Sequence, residues 1–347
     1  MFFYIVVLIV CIVLANIANN YNNRKIACCI ALLLSIISGF RGNEVGIDTV
    51  HIIDRWDDVE AGRVVYLEYG FTLLIKFLQY FTNDWTYLFF ICAVITCYLI
   101  ILRLWDFRKI SSFPIMVAVF YMLYFLRTMN ITRQFVAIAI VFYFSRYFFR
   151  KKYISYIIGV IIASLFHISS LMAFAIFALD FFKWKELKFL HKVILSICVL
   201  CIPLLAMVAE NIIDNEFGVY FLNEDIKWGL MTLVKLVFLV LSCYLSKLIS
   251  INSFNQTDGN NFMIRCCIYI YAAALFLQSL GYIYPFMDRI GLLFNMFGVV
   301  YWGILFKTKI VPNKIFYAII FLLLIVYPFI GTLLYDSYGV IPYNSSW

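Results

Sequence analysis

The residues of this chain that can do chemistry stand at the ends of apolar runs. Residues 38–49, SGFRGNEVGIDT, bring Arg41 and Asp48 together among glycines, which let backbone approach a ligand closely. Glu68 follows in LEYGF. FLRTMNITRQFVA then supplies Arg127, Asn130, Arg133 and Gln134, FHISS supplies His167, and YIYPFMD leads into Arg289. Guanidinium groups bind phosphoryl oxygens in a bidentate fork, so Arg41, Arg127, Arg133 and Arg289 suit a diphosphate. Asn130, read as a helix N-cap, puts Arg133 in a first turn whose free N–H groups also favour an anion. Asn130 and Gln134 are candidate substrate contacts. His167, Asp48 and Glu68 are the candidate catalytic bases.

Each has a plainer reading. The arginines can snorkel to an interface or pair with acidic loop residues, and Arg289 can pair with Asp288 as a helix cap. His167 can be a neutral buried histidine satisfied by Ser170. Asp54, Asp57, Asp58 and Glu60 cluster without an apolar frame and read as a solvated acidic loop.

Composition says what must position these groups. The 347 residues are 65% hydrophobic and only 13% charged, with a mean hydropathy of +0.96, where soluble domains carry about 25% charged residues. This is the composition of an all-α integral membrane protein. Segments long enough to span a hydrocarbon layer of about 30 Å recur from end to end. They predict one polytopic domain over 1–347, a bundle of about twelve transmembrane helices. The predicted helices are 2–18, 25–39, 85–104, 112–127, 130–149, 153–166, 169–183, 193–210, 228–249, 266–284, 290–306 and 315–332.

The net charge of +8 is spread over short basic clusters between alternate runs, among them Arg24 and Lys25, Arg146 to Lys152, and Lys183 to Lys192. By the positive-inside rule those loops are cytoplasmic, which sets both termini outside. Acidic loops at 40–84 and 210–227 then face outward. Scattered basic turns do not make a nucleic-acid surface. Within the long first loop, LEYGFTLLIKFLQYF is apolar but short, and predicts an interfacial or re-entrant helix. The helix 153–166 covers only about 21 Å, so a turn at FHISS would open an outward recess.

The ten cysteines lie within or beside apolar runs and indicate no disulfide framework; CVLC at 198–201 reads as packing. Metal-ligand spacings, P-loops and dinucleotide fingerprints are absent, so neither metal nor cofactor is expected.

GFRGNEVGIDT, LEYGF, RTMNITRQFVAIAI, HISSL, DRIGLLFNM and the tail IPYNSSW, in that order, resemble the EpsG-like branch of Wzy-type bacterial polysaccharide polymerases. The resemblance implies a GT-C-like membrane fold in the bacterial cytoplasmic membrane. It implies transfer of a growing glycan from undecaprenyl diphosphate to the non-reducing end of a new lipid-linked repeat, outside the membrane and without a metal. The arginines would hold the diphosphate, and His167 with Asp48 or Glu68 would handle the proton. Its partners would be the undecaprenyl-diphosphate-linked oligosaccharide, membrane lipid and a chain-length regulator. A lipid-linked oligosaccharide flippase, or a glycan ligase or acyltransferase, stays open as an alternative.

Overall fold

The computed structural model describes residues 1–65, 67–177, 258–280, 285–307 and 314–346. Every regular element among them is helical, apart from a single bridge between Arg41 and Ser345. The helices are α1 (Phe2–Asn20), α2 (Arg24–Gly39), α3 (Thr49–Glu60), α4 (Tyr69–Gln79) and α5 (Thr86–Asp106). Next come α6 (Phe113–Thr128), α7 (Thr132–Phe149) and α8 (Tyr153–Ser164), then α9 (Asp258–Leu280), α10 (Pro285–Phe294) and α11 (Met296–Lys307). The last, α12, runs through Lys314–Phe321, a π-helical turn Leu322–Val326, and Tyr327–Tyr335.

The chain is an all-α, multi-pass membrane protein. Phe2–Asn20, Thr86–Lys109, Phe262–Ser279 and Ala318–Tyr335 are each long and apolar enough to cross a bilayer. Met287–Phe294 and Met296–Lys307 qualify together, bent by 47°.

Contacts divide the chain into two compact units, Met1–Ile168 with Val299–Trp347, and Ser169–Gly298. The first is organised around α5. Small residues let helices approach closely where lipid tails are as apolar as any side chain. A Cβ on Gly39 would stand 2.5 Å from the Phe90 Cα, and α2 buries Ala27, Ile30, Ala31 and Leu34 at helical spacing. Ser35 of α2 donates to the Ala93 carbonyl of α5 at 3.3 Å. Gly159 likewise seats α8 against the Phe144 ring of α7. At one end of the bundle Asp106 accepts from Arg103 at 3.4 Å and from Arg146 at 2.7 Å, tying α5 to α7. At the other end Arg41 reaches both, standing over Phe89 of α5 and bonding Thr132 of α7. So α5 and α7 run parallel. In the second unit α9 packs on α10, with Gly291 set against the Gln278 side chain and the Ala274 carbonyl.

Several expected elements change. The loop 40–84 carries two helices, α3 and α4, where only one was expected. The acids read as a solvated loop ride on α3, whose Thr49, Ile52, Trp56 and Val59 are buried; Asp58 pairs with exposed Arg55 and Arg63. The helix expected over 290–306 starts at Pro285 and breaks at Asn295. The segment from 169 is a 3-10 helix over Ile168–Phe177. The helices expected at 193–210 and 228–249, and the acidic loop 210–227, lie outside the described residues.

Candidate functional site

The Glu68 and His167 side chains meet because two backbones touch. Gly70 N–H donates to the Leu165 carbonyl at 2.8 Å, and a Cβ on Gly70 would lie 2.7 Å from both Leu165 O and Leu165 Cβ. Only glycine admits that approach without displacement. Glu68 precedes the joint by two residues and His167 follows it by two. Glu68 stands at the N-cap of α4 in extended conformation, yet its side chain makes no capping bond. Its Oε1 instead lies 2.9 Å from His167 Nδ1, and its Oε2 accepts from Arg133.

A carboxylate only accepts, so His167 Nδ1 carries the proton and Nε2 is left as the basic nitrogen. Nε2 has no hydrogen-bond partner among the described residues. Held between His167 and Arg133, the Glu68 carboxylate is placed to orient the imidazole. Arg133 occupies the first turn of α7, as expected, with its guanidinium 5.9 Å from the Phe71 ring centroid. The helix cap differs: Ile131 takes the N-cap position, and Asn130 Oδ1 accepts the Asp48 backbone N–H at 2.9 Å. Asn130 thus binds the first loop to the start of α7.

Arg41 is placed differently from Arg133. Its side chain is fully enclosed, donating from NH1 to Ser38 O at 2.6 Å, from Nε to Val45 O at 3.2 Å, and from NH2 to Thr132 Oγ1 at 3.3 Å. The guanidinium lies 4.1 Å from the Phe89 ring centroid. Burial pulls its pKa down to about 9, so it stays charged at neutral pH. The loop around it is closed by the C-terminal tail. Gly42 N–H donates to Asn344 O at 2.8 Å, Gly46 N–H to Gly339 O at 2.7 Å, and Ser346 N–H to Phe40 O at 3.0 Å. Gly46, at φ +95°, passes so near Met129 O that a Cβ would stand 2.7 Å away.

The remaining candidates are distributed. Asp48 is half-buried at the start of α3, and its carboxylate has no hydrogen bond or ion pair among the described residues. Gln134 is buried, Arg127 is half-buried in the last turn of α6, and both are engaged by other groups. Arg289 belongs to the second unit, exposed on α10 and also engaged. Ser170 does not satisfy His167: its hydroxyl is buried without a partner among the described residues. Among those residues no three His, Cys, Asp or Glu side chains converge as metal ligands. Thr49, Thr132, Phe89 and Gly70 join the site as supports; all but Phe89 stood inside quoted motifs, where no residue type announced these contacts.

A membrane-embedded helical bundle thus gathers a histidine, a carboxylate and an arginine where two short helices meet, and ionisable groups held within a membrane protein mark a functional site. The chain belongs to the EpsG family, whose model matches residues 24–345. Membership places it in polysaccharide biosynthesis, among glycosyltransferase-like polymerases. No curated protein and no solved structure matches it.

Proposed function

We propose that the chain is a polysaccharide polymerase of the bacterial cytoplasmic membrane. It would transfer a growing glycan from undecaprenyl diphosphate to the non-reducing end of a new lipid-linked repeat, on the outer side. The observation that carries this reading is the Glu68–His167–Arg133 arrangement at the Gly70–Leu165 joint. An acceptor hydroxyl attacks the anomeric carbon, and its proton passes to His167 Nε2. The carbon–oxygen bond to the diphosphate breaks, and the diphosphate leaves on its lipid. Charge builds on that leaving group, where fixed cationic donors count most. Arg133 keeps donors beyond the one given to Glu68, and we assign it to the diphosphate with Arg127. Asn130 and Gln134 line the substrate path. Arg41, with its N–H groups engaged inside the chain, holds the loop that presents Asp48. Of the three candidate bases, His167 takes the proton, Glu68 orients it, and Asp48 is left to contact acceptor hydroxyls.

The wider arrangement we propose is a GT-C-like bundle of about twelve crossings with both termini outside, since the basic turns mark the cytoplasmic face. The step as written needs no metal. A chain-length regulator would act from outside this site.

Purified protein given a single lipid-linked repeat tests the reading. Longer lipid-linked products are expected from the native chain and their loss from His167→Ala. Production of none by the folded native chain would overturn it. A flippase would move the repeat without lengthening it, and a ligase would pass it to another acceptor.

A further inference from the structure

The joint between α4 and α8 has a geometry that concerns the bilayer itself. α8 follows the basic turn Arg150–Lys151–Lys152, which marks one membrane surface. Its 12 residues rise about 18 Å, so its tip stops roughly 12 Å short of crossing a layer about 30 Å thick. Gly70, in the first turn of α4, donates to the carbonyl of Leu165, the C-cap of α8. The N-terminus of one helix thus meets the C-terminus of another at that depth.

The exposed side of α4 is apolar. Tyr69, Leu73, Phe77 and Tyr80 fall at intervals of four, four and three, one stripe of a helix, and all are exposed. The opposite side, Phe71, Ile75 and Leu78, is buried on the protein. Across the joint the stripe continues into Ile154, Ile158, Ile161 and Leu165, the exposed side of α8. Facing water, this would be a large aromatic and aliphatic patch of the kind soluble surfaces avoid. We infer that α4 is re-entrant, with its Tyr69–Phe77 stripe against acyl chains, and that α8 and α4 together make one interrupted crossing with Glu68 and His167 at the break. The 11 residues of α4 rise about 16 Å. That is enough to carry Tyr80, Phe81 and Trp85 to the far interface, where aromatic belts form and where α5 begins. Lys76 can extend its head from the same helix to the headgroups.

The inference does not depend on the proposed chemistry, and its test reads no activity. An environment-sensitive fluorescent amino acid is placed at Leu73 or Phe77 in the full chain, reconstituted in phosphatidylcholine liposomes. The references are Ile154 on α8 and Val64, which is 82% exposed in a loop. Quenching by acyl-brominated lipid is expected to exceed quenching by aqueous iodide several-fold at positions 73, 77 and 154, with the reverse at 64. If 73 and 77 follow 64, the inference falls. Should the labelled chains not fold, the native chain is treated with a carbene-generating lipid and digested. Adducts on 69–80 comparable to those on 154–165 support the assignment; adducts on 154–165 alone overturn it.

Discussion

Gly70 and Leu165, 2.8 Å apart from amide nitrogen to carbonyl oxygen, set the separation of Glu68 and His167. The bond is short because no side chain intervenes, and the Cβ of alanine at position 70 would press on both the carbonyl and the Cβ of Leu165. Neither is the far end of a flexible side chain, so the backbones must part. Overpacking of this kind costs about 1–3 kcal/mol. Gly70→Ala is therefore expected to lower the midpoint of thermal unfolding in detergent. Because a displacement near 1 Å at a reacting group can cost about a hundredfold in rate, polymer synthesis should fall by more than the stability loss explains. A Gly70→Ala chain with native polymerisation would show that the joint does not position the pair.

Glu68 separates shape from charge. Glu68→Gln keeps the length of the side chain and an oxygen that can accept from His167 Nδ1, but removes the negative charge that Arg133 faces. An arginine left beside a neutral amide loses its ion pair, so Glu68→Gln should melt below the native chain. An unchanged melting temperature would mean that packing of the side chain, and not its charge, matters. Activity should drop as well, since glutamine holds the imidazole without stabilising its protonated form.

How much of this was legible in the residues varies with the element. Long apolar runs such as Phe2–Asn20 and Thr86–Asp106 read directly, because span length and hydropathy are local properties. The short α8 and the turn at His167 were also readable, from length against membrane thickness. α3 was hidden by its acids, although Thr49, Ile52, Trp56 and Val59 keep a helical period through them. The break at Asn295 carries no proline or glycine at the bend to announce it. What could not be read is pairing over distance. Glu68 finds His167 across 99 residues of chain, and Asn130 prefers the Asp48 amide to its own helix. The role of Arg41 depends on the carbonyls of Ser38 and Val45 pointing at it, which no residue type reveals.

Arg41 and Arg133 are accordingly expected to respond differently to lysine. Arg41 fans out to four separate acceptors over the Phe89 ring, a planar pattern that an ammonium cannot reproduce. Arg41→Lys should leave buried carbonyls unsatisfied, at about 1–3 kcal/mol each. Its effect should appear as lost thermal stability, with KM for the lipid-linked repeat little changed in the fraction that stays folded. Arg133→Lys keeps a charge at a partly exposed site. Its folded yield should be near native, while KM for the repeat rises or kcat falls. The reverse pattern, a stable Arg41→Lys chain with raised KM, would return Arg41 to the diphosphate.

The tail closes the same loop from the other side. Asp336, in left-handed conformation, accepts from the N–H groups of Val340 and Ile341 at 2.7 and 3.1 Å, which turns the chain back over α1 and α2. Tyr343 then donates to Ile37 O at 3.0 Å and stacks on Phe3, while Tyr4 donates to Val340 O at 2.8 Å. Ending the chain after Tyr335 would strip partners from the amides of Gly42, Gly46 and Ile47 and uncover Arg41. Limited proteolysis should then cut within residues 42–48, which the native chain protects, and polymerisation should be lost. Tyr343→Phe is the graded version: it removes one hydrogen bond, worth about 1 kcal/mol, and keeps the ring stacked on Phe3. It should soften the loop to protease while leaving measurable polymerisation. Equal protection of 42–48 in the truncated and native chains would show that the loop holds its shape without the tail.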